Sequence, residues 1–237
     1  YRALPSFIQD GIAKIVGLMP VSDKKVGIDE KLRRFVKFVH QDSHYAHLYW
    51  RRIFDDGDMQ QLLPEGFIKD SFLSQIDEFY HFYFKKMDNF SRVAKYKYFD
   101  LKTYLPSDML TKIDRVSMAH SLEARVPLLD HVLIEKTFGM QNKTLLRSIL
   151  TKDLPSSIAF RKKAGFNMPI GKWFREEKRF KELLFDEITK LNRCSEIKFN
   201  QAYIEYLYAS HLSGKEDNAF KLYNLTVFAM WNNSYAS

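Results

Sequence analysis

The sequence predicts an all-α protein, an irregular array of packed helices, and two observations carry that expectation. Apolar residues recur three and four positions apart: Ile12, Ile15 and Val16; Leu32, Phe35, Val36 and Val39; Phe72, Ile76, Phe79, Tyr80, Tyr83 and Phe84. That is the period of helices that bury one stripe against a neighbour. Convincing strand alternation is missing, and the hairpin-type pair Asp56-Gly57 lies between helical patterns rather than between two strands.

Taken in order, the first periodic stretch is expected to break over Met19–Asp29, where Pro20 and Gly27 stand. Further breaks are expected at Asp55–Asp58, at Leu63–Gly66 around Pro64, and at Lys86–Asn89. A helix is expected to open near Ser107, after Pro106, and to run to about His120. It should give way to an extended Arg125-Val126-Pro127, because a residue before proline is pushed out of the helical region. Helices follow at His131–Phe138, Lys143–Lys152, Pro169–Asp186, Phe199–His211 and Asn218–Trp231. With no repeat and no low-complexity linker, residues 1–237 are read as one helical portion.

Composition sets the class. At 46% hydrophobic and 28% charged, the 237 residues have the make-up of an ordinary globular protein rather than a disordered one. A formal charge of +8 favours anionic partners such as nucleotide, pyrophosphate or nucleic acid. The basic pairs are scattered, however (Lys24-Lys25, Arg33-Arg34, Arg51-Arg52, Lys85-Lys86, Lys162-Lys163), as on a solvated surface, so no nucleic-acid-binding arm is expected. Cys194 stands alone, which excludes an internal disulfide and suits a reducing, cytoplasmic setting. No run approaches the roughly 20 apolar residues of a membrane helix. The first residue is Tyr1, so translation is expected to begin upstream.

Several groups of residues could carry chemistry. Asp108, Lys112 and Arg115 are spaced i, i+4 and i+7, which puts them on one helical face, while Met109, Ile113 and Val116 occupy another. From spacing alone this is an amphipathic surface helix with an acid–base pair. Glu123, Arg125 and Asp130 read as a structural clamp in a turn, since a guanidinium beside a carboxylate forms directional bonds. In Arg161-Lys162-Lys163-Ala164-Gly165-Phe166, a lysine beside glycine in a loop can reach a ligand. His40, His44 and His47 share helical spacing but interleave with Tyr45, Tyr49 and Trp50, so they read as packing and not as metal ligands. The nine glycines are dispersed, so no glycine-rich loop exists to cradle a phosphate.

Two blocks in order make a signature: YLPSDMLTKIDRVSMAHSLEARVPLLD from Tyr104 to Asp130, and RKKAGFNMPIGKW from Arg161 to Trp173. They resemble the synthetase domain of glutamine-dependent asparagine synthetases, and LYNLTVFAMW from Leu222 to Trp231 resembles that family's closing helix. The pyrophosphate-gripping S-G-G-x-D-S loop and the amino-terminal thiol of the glutaminase are absent from these residues. The resemblance therefore implies the carboxyl-terminal helical part of a PP-loop ATP pyrophosphatase-like synthetase domain, with the glutaminase and the PP-loop portion upstream in the same protein.

The resemblance also assigns roles. Lys163 is implied as the catalytic residue, stabilising charge on the transferring phosphoryl group, while Lys112 and Arg115 would face the phosphates. Asp108 and Asp114 are second-rank candidates at the same site. Glu123, Arg125, Asp130, Gly165 and Phe166 match as structural signature. ATP with Mg²⁺, aspartate and glutamine are the implied substrates of the complete enzyme, the fragment alone is expected to bind no nucleotide, and a homodimer is possible. Two other readings stay open: a related amidotransferase acting on another carboxylate, as in β-lactam-forming or polysaccharide-modifying relatives, or a helical binding module without catalysis.

Overall fold

The computed structural model describes residues 1, 3–19, 28–39, 47, 51–67, 70–140, 144–162, 168–194 and 198–235. Among them every regular element is helical. In chain order these are α1 (Ser6–Leu18), α2 (Ile28–Phe38), α3 (Asp56–Leu62), α4 (Asp70–Lys85) and α5 (Arg92–Lys102). A π-helical turn (Leu105–Leu110) leads into α6 (Thr111–Met118), and a 3₁₀ turn (Pro127–Leu129) into α7 (His131–Thr137). The rest are α8 (Thr144–Asp153), α9 (Ser156–Ala159), α10 (Ile170–Glu176), α11 (Lys178–Cys194), α12 (Gln201–Leu212) and α13 (Ala219–Tyr235). They divide into two compact units, one of Tyr1–Leu73 with Asn167–Ser237 and one of Ser74–Phe166.

The first unit holds the larger core. Leu184, Ile188 and Leu191 on α11 and Leu222, Leu225 and Ala229 on α13 keep helical spacing, and each is almost wholly buried. Phe174 of α10, Ile204 and Leu207 of α12 and Leu62 of α3 complete the cluster. Each large side chain enclosed in this way contributes about 1.5–3 kcal/mol by leaving water.

Two departures from the sequence reading occur here, and both have local causes. The expected single helix Pro169–Asp186 is two helices, because Glu177 turns extended (φ −102°, ψ 103°). The bend lets Phe180 stack on Trp173 at 5.3 Å between ring centres and meet Phe174 edge-on at 5.7 Å. Aromatic packing of this kind outweighs the weak preference of one Glu for continuing a helix. The expected break at Asp55–Asp58 is instead a helix start. Asp55 accepts from the Asp58 amide at 2.9 Å while Asp58 accepts from the Asp55 amide at 2.8 Å, a reciprocal cap that starts α3.

The second unit has a small aromatic centre. Phe84 of α4 lies parallel to Phe99 of α5 at 5.4 Å, with Tyr80 and Tyr83 on the same ring and Met87 buried beside them. Beyond it most large apolar side chains are exposed, Val116, Met118, Leu122, Leu128, Ile158 and Phe160 among them.

Candidate functional site

The first signature block begins at a helix start. α5 ends at Lys102, Thr103 leaves the helical region (φ −122°, ψ −74°), and the run that leads into α6 begins at Tyr104 with Pro106 in its first turn, close to the helix start expected near Ser107. A proline in a regular helix clashes with the carbonyl four residues back and supplies no amide hydrogen. In a first turn neither cost arises, because the first amides of a helix have no partner within it. Thr111 then donates its hydroxyl to the Pro106 carbonyl, five residues back, at 2.7 Å.

This arrangement presents the predicted polar residues to solvent. Asp108 ends up in the π-helical turn and Lys112 one step into α6, with Lys112 Nζ 3.8 Å from Asp108 Oδ1. Arg115, three positions on, is exposed, as is Asp114, whose carbonyl accepts from the Ser117 hydroxyl at 3.2 Å. An exposed pair at this distance contributes at most about 1 kcal/mol. A multiply charged phosphate can therefore recruit the Lys112 ammonium at small cost, with Arg115 on the same helix to add a second cation.

Beyond α6 the chain turns at Ser121, at φ 58°, and residues 122–126 form no regular element before the 3₁₀ turn that Pro127 opens. Of the extended Arg125-Val126-Pro127 expected from sequence, Arg125 and Val126 are non-helical, with Val126 at φ −123°, ψ 74°, whereas Pro127 opens the 3₁₀ turn because its fixed φ suits a first helical position. Arg125 Nε donates to Glu123 Oε1 at 3.0 Å with both side chains in solvent, a pair that does not include Asp130. Asp130 caps α7 by accepting from the Leu133 amide at 3.1 Å. Asp108 and Lys112 are thus paired, as are Glu123 and Arg125, while Asp130 is a helix cap and not a member of the expected clamp.

In the second block, Arg161 and Lys162 are exposed, and Lys163, Gly165 and Phe166 lie outside the described residues. From Ile170 the block is helical, with Trp173 packed on Phe180. Of the histidine trio only His47 is among the described residues. No group of three or more His, Cys, Asp or Glu side chains able to hold a metal ion occurs among the described residues.

One cluster escaped sequence reasoning. Asp58, 7% exposed, receives the Tyr203 hydroxyl at 2.6 Å and Lys221 Nζ at 2.5 Å, and its neighbour Asp55 pairs with Lys37. Burial would raise the Asp55 carboxyl, but the bonds from Lys37 and the Asp58 amide and the Lys221 charge together hold it below the usual range. Burial, aided by the bond to Asp58 and nearby carboxylates, pushes the Tyr203 phenol well above its ordinary value. All donors and acceptors here are satisfied from within, which is the character of a structural tie. The partners come from three distant segments, so spacing carried no signal.

The family model for asparagine synthase matches residues 28–233. The chain belongs to the asparagine synthase family. Within this family it is 31% identical over 159 residues to the glutamine-hydrolyzing asparagine synthetase 1 of Bacillus subtilis, an alignment covering 63% of this chain and 24% of that protein. Putative glutamine-hydrolyzing asparagine synthetases of Mycobacterium tuberculosis and Mycobacterium bovis are 28% identical over 149 residues, 59% of this chain and 22% of each relative. The chain therefore spans about a quarter of the length of these asparagine synthetases. No solved structure matches it. Among the described residues no helix is long and apolar enough to cross a membrane.

Proposed function

We propose that this chain is the carboxyl-terminal helical part of a glutamine-dependent asparagine synthetase. The observation that carries the reading is the family match over 28–233, which takes in both signature blocks. In the proposed reaction a carboxylate oxygen of aspartate attacks the α-phosphorus of ATP, pyrophosphate leaves, and ammonia from glutamine displaces AMP from the acyl adenylate. Mg²⁺ accompanies ATP. Lys163 stabilises the charge that develops on the α-phosphoryl oxygens, an electrostatic task suited to a compact point charge. Lys112 and Arg115 attract the phosphates, and Asp108 holds Lys112 in place until they arrive. Asp114 stands beside this cationic face. Glutaminase and phosphate-loop portions of the same protein supply ammonia and grip the nucleotide; assembly as a homodimer is compatible with this reading.

Isotope exchange between labelled pyrophosphate and ATP tests the proposal in the full-length gene product, because it isolates adenylation from ammonia delivery. Exchange that requires aspartate is the expected result. Exchange that ignores aspartate but responds to another carboxylate would make the protein an amidotransferase of different acceptor. No exchange with any carboxylate would leave a helical binding module.

A further inference from the structure

Ser121 adopts a backbone conformation that its residue type disfavours. Its φ of 58° lies in the left-handed region, which among the described residues no other non-glycine residue enters. Its amide donates to the Met118 carbonyl at 2.9 Å and the Leu122 amide donates to the Ser117 carbonyl at 3.0 Å. These two bonds are the closure that ends many helices, and glycine ordinarily stands where Ser121 does because a Cβ crowds the following carbonyl.

Such strain persists where the surroundings enforce it. Here the chain supplies those two backbone bonds and no packing, since residues 118–128 are exposed without interruption, the large side chains Met118, Leu122, Val126 and Leu128 included. The Ser121 hydroxyl takes part in no hydrogen bond among the described residues, so the side chain does not hold the turn either. What the turn does accomplish is direction. α6, with Lys112 and Arg115, lies on one side of it, and the irregular segment bearing the Glu123–Arg125 pair leaves on the other. Ordinary helical or extended dihedrals at 121 would send that pair elsewhere.

We propose that Ser121 is a positioning residue whose left-handed turn aims the Glu123–Arg125 pair relative to the cationic face of α6, so that adenylation depends on that aim. The proposal rests on the asparagine synthetase reading above. Its test uses the full-length gene product with Ser121→Gly, Ser121→Asn, Ser121→Ala and Ser121→Val, read by amide hydrogen exchange at residue 122 and by aspartate-dependent pyrophosphate–ATP exchange. Gly and Asn tolerate the left-handed region, so both variants are expected to keep the Leu122 amide protected and kcat within about twofold of the parent. Val, β-branched, is expected to lose protection at Leu122 and at least about tenfold in kcat, with a smaller change in the KM for ATP, because misaiming affects the transition state first.

Ala is expected to fall between, and it carries the test if the Val variant fails to fold. Equal loss of kcat in the Gly and Val variants would overturn the proposal by making the hydroxyl the working group. Lost protection with full kcat in the Val or Ala variant would overturn it by making the turn merely structural. A parent protein without exchange for any carboxylate would overturn the adenylation reading beneath it, an outcome visible before any variant is made.

Discussion

Tyr203 donates its phenolic hydrogen to Asp58 at 2.6 Å, joining α12 to the first turn of α3 across 145 positions of sequence. Lys221 of α13 reaches the same oxygen at 2.5 Å, so one buried carboxylate ties three helices. A hydrogen bond to a charged group contributes about 1.5–3 kcal/mol, and Tyr203→Phe is expected to lose about that much in urea unfolding. Asp58→Asn is expected to cost more, near 3 kcal/mol, because it leaves the Lys221 ammonium without its counter-charge. A Tyr203→Phe loss below about 0.5 kcal/mol would show that the bond contributes nothing net.

The same cluster predicts opposite responses to acid and base. Asp55 is held below its ordinary value of 3.8, so its contribution is full above that value and is lost as the pH falls through the lower folded value. Tyr203 is raised above its ordinary 10.0, so its contribution is full below pH 10.0 and is lost as the pH rises beyond it. Lys37→Met is expected to flatten the acid limb of a stability–pH curve and Tyr203→Phe the alkaline limb. Denaturant midpoints measured from pH 3 to 11 on the three proteins check both; parallel curves would remove these groups from the account.

Asn200 serves two helices at once. Its side chain accepts from the Tyr203 amide at 3.4 Å, capping α12, and donates to the Gln61 carbonyl in the last turn of α3 at 3.0 Å. Asn200→Ala is expected to cost about 1–2 kcal/mol, the upper range for a lost cap, since it also leaves a helix carbonyl without its donor. Asn200→Asp should recover the cap of α12 but not the bond to Gln61, and an intermediate unfolding midpoint is the expected mark of the double role.

For the proposed reaction, the adjacent lysines provide an internal control. Lys163→Ala is expected to lose at least about 3 kcal/mol of transition-state stabilisation in pyrophosphate–ATP exchange, with kcat falling more than ATP affinity. Lys162, which the structure leaves exposed, should tolerate the same change with little effect. Equal losses would reduce the pair to a general basic patch, and an unaffected Lys163 variant would take that residue out of the active site.

By itself the sequence determined the helical class, the positions of α7, α8, α12 and α13 to within a few residues, and the signature that names the family. Each of these is written in neighbours: apolar spacing of three and four sets a helix face, and the motif residues lie within two short blocks. The Asp108–Lys112 and Glu123–Arg125 pairs were legible for the same reason, since four and two positions separate their members. Tertiary structure decided what depends on groups far apart or on conflicts between local rules. The expected helix Pro169–Asp186 breaks at Glu177 because Phe180 gains the face of Trp173. Asp58 becomes a buried tie only when Tyr203 and Lys221 arrive from distant helices. Ser121 takes a glycine's conformation because two backbone bonds close the end of α6, and no property of serine in the sequence announces that.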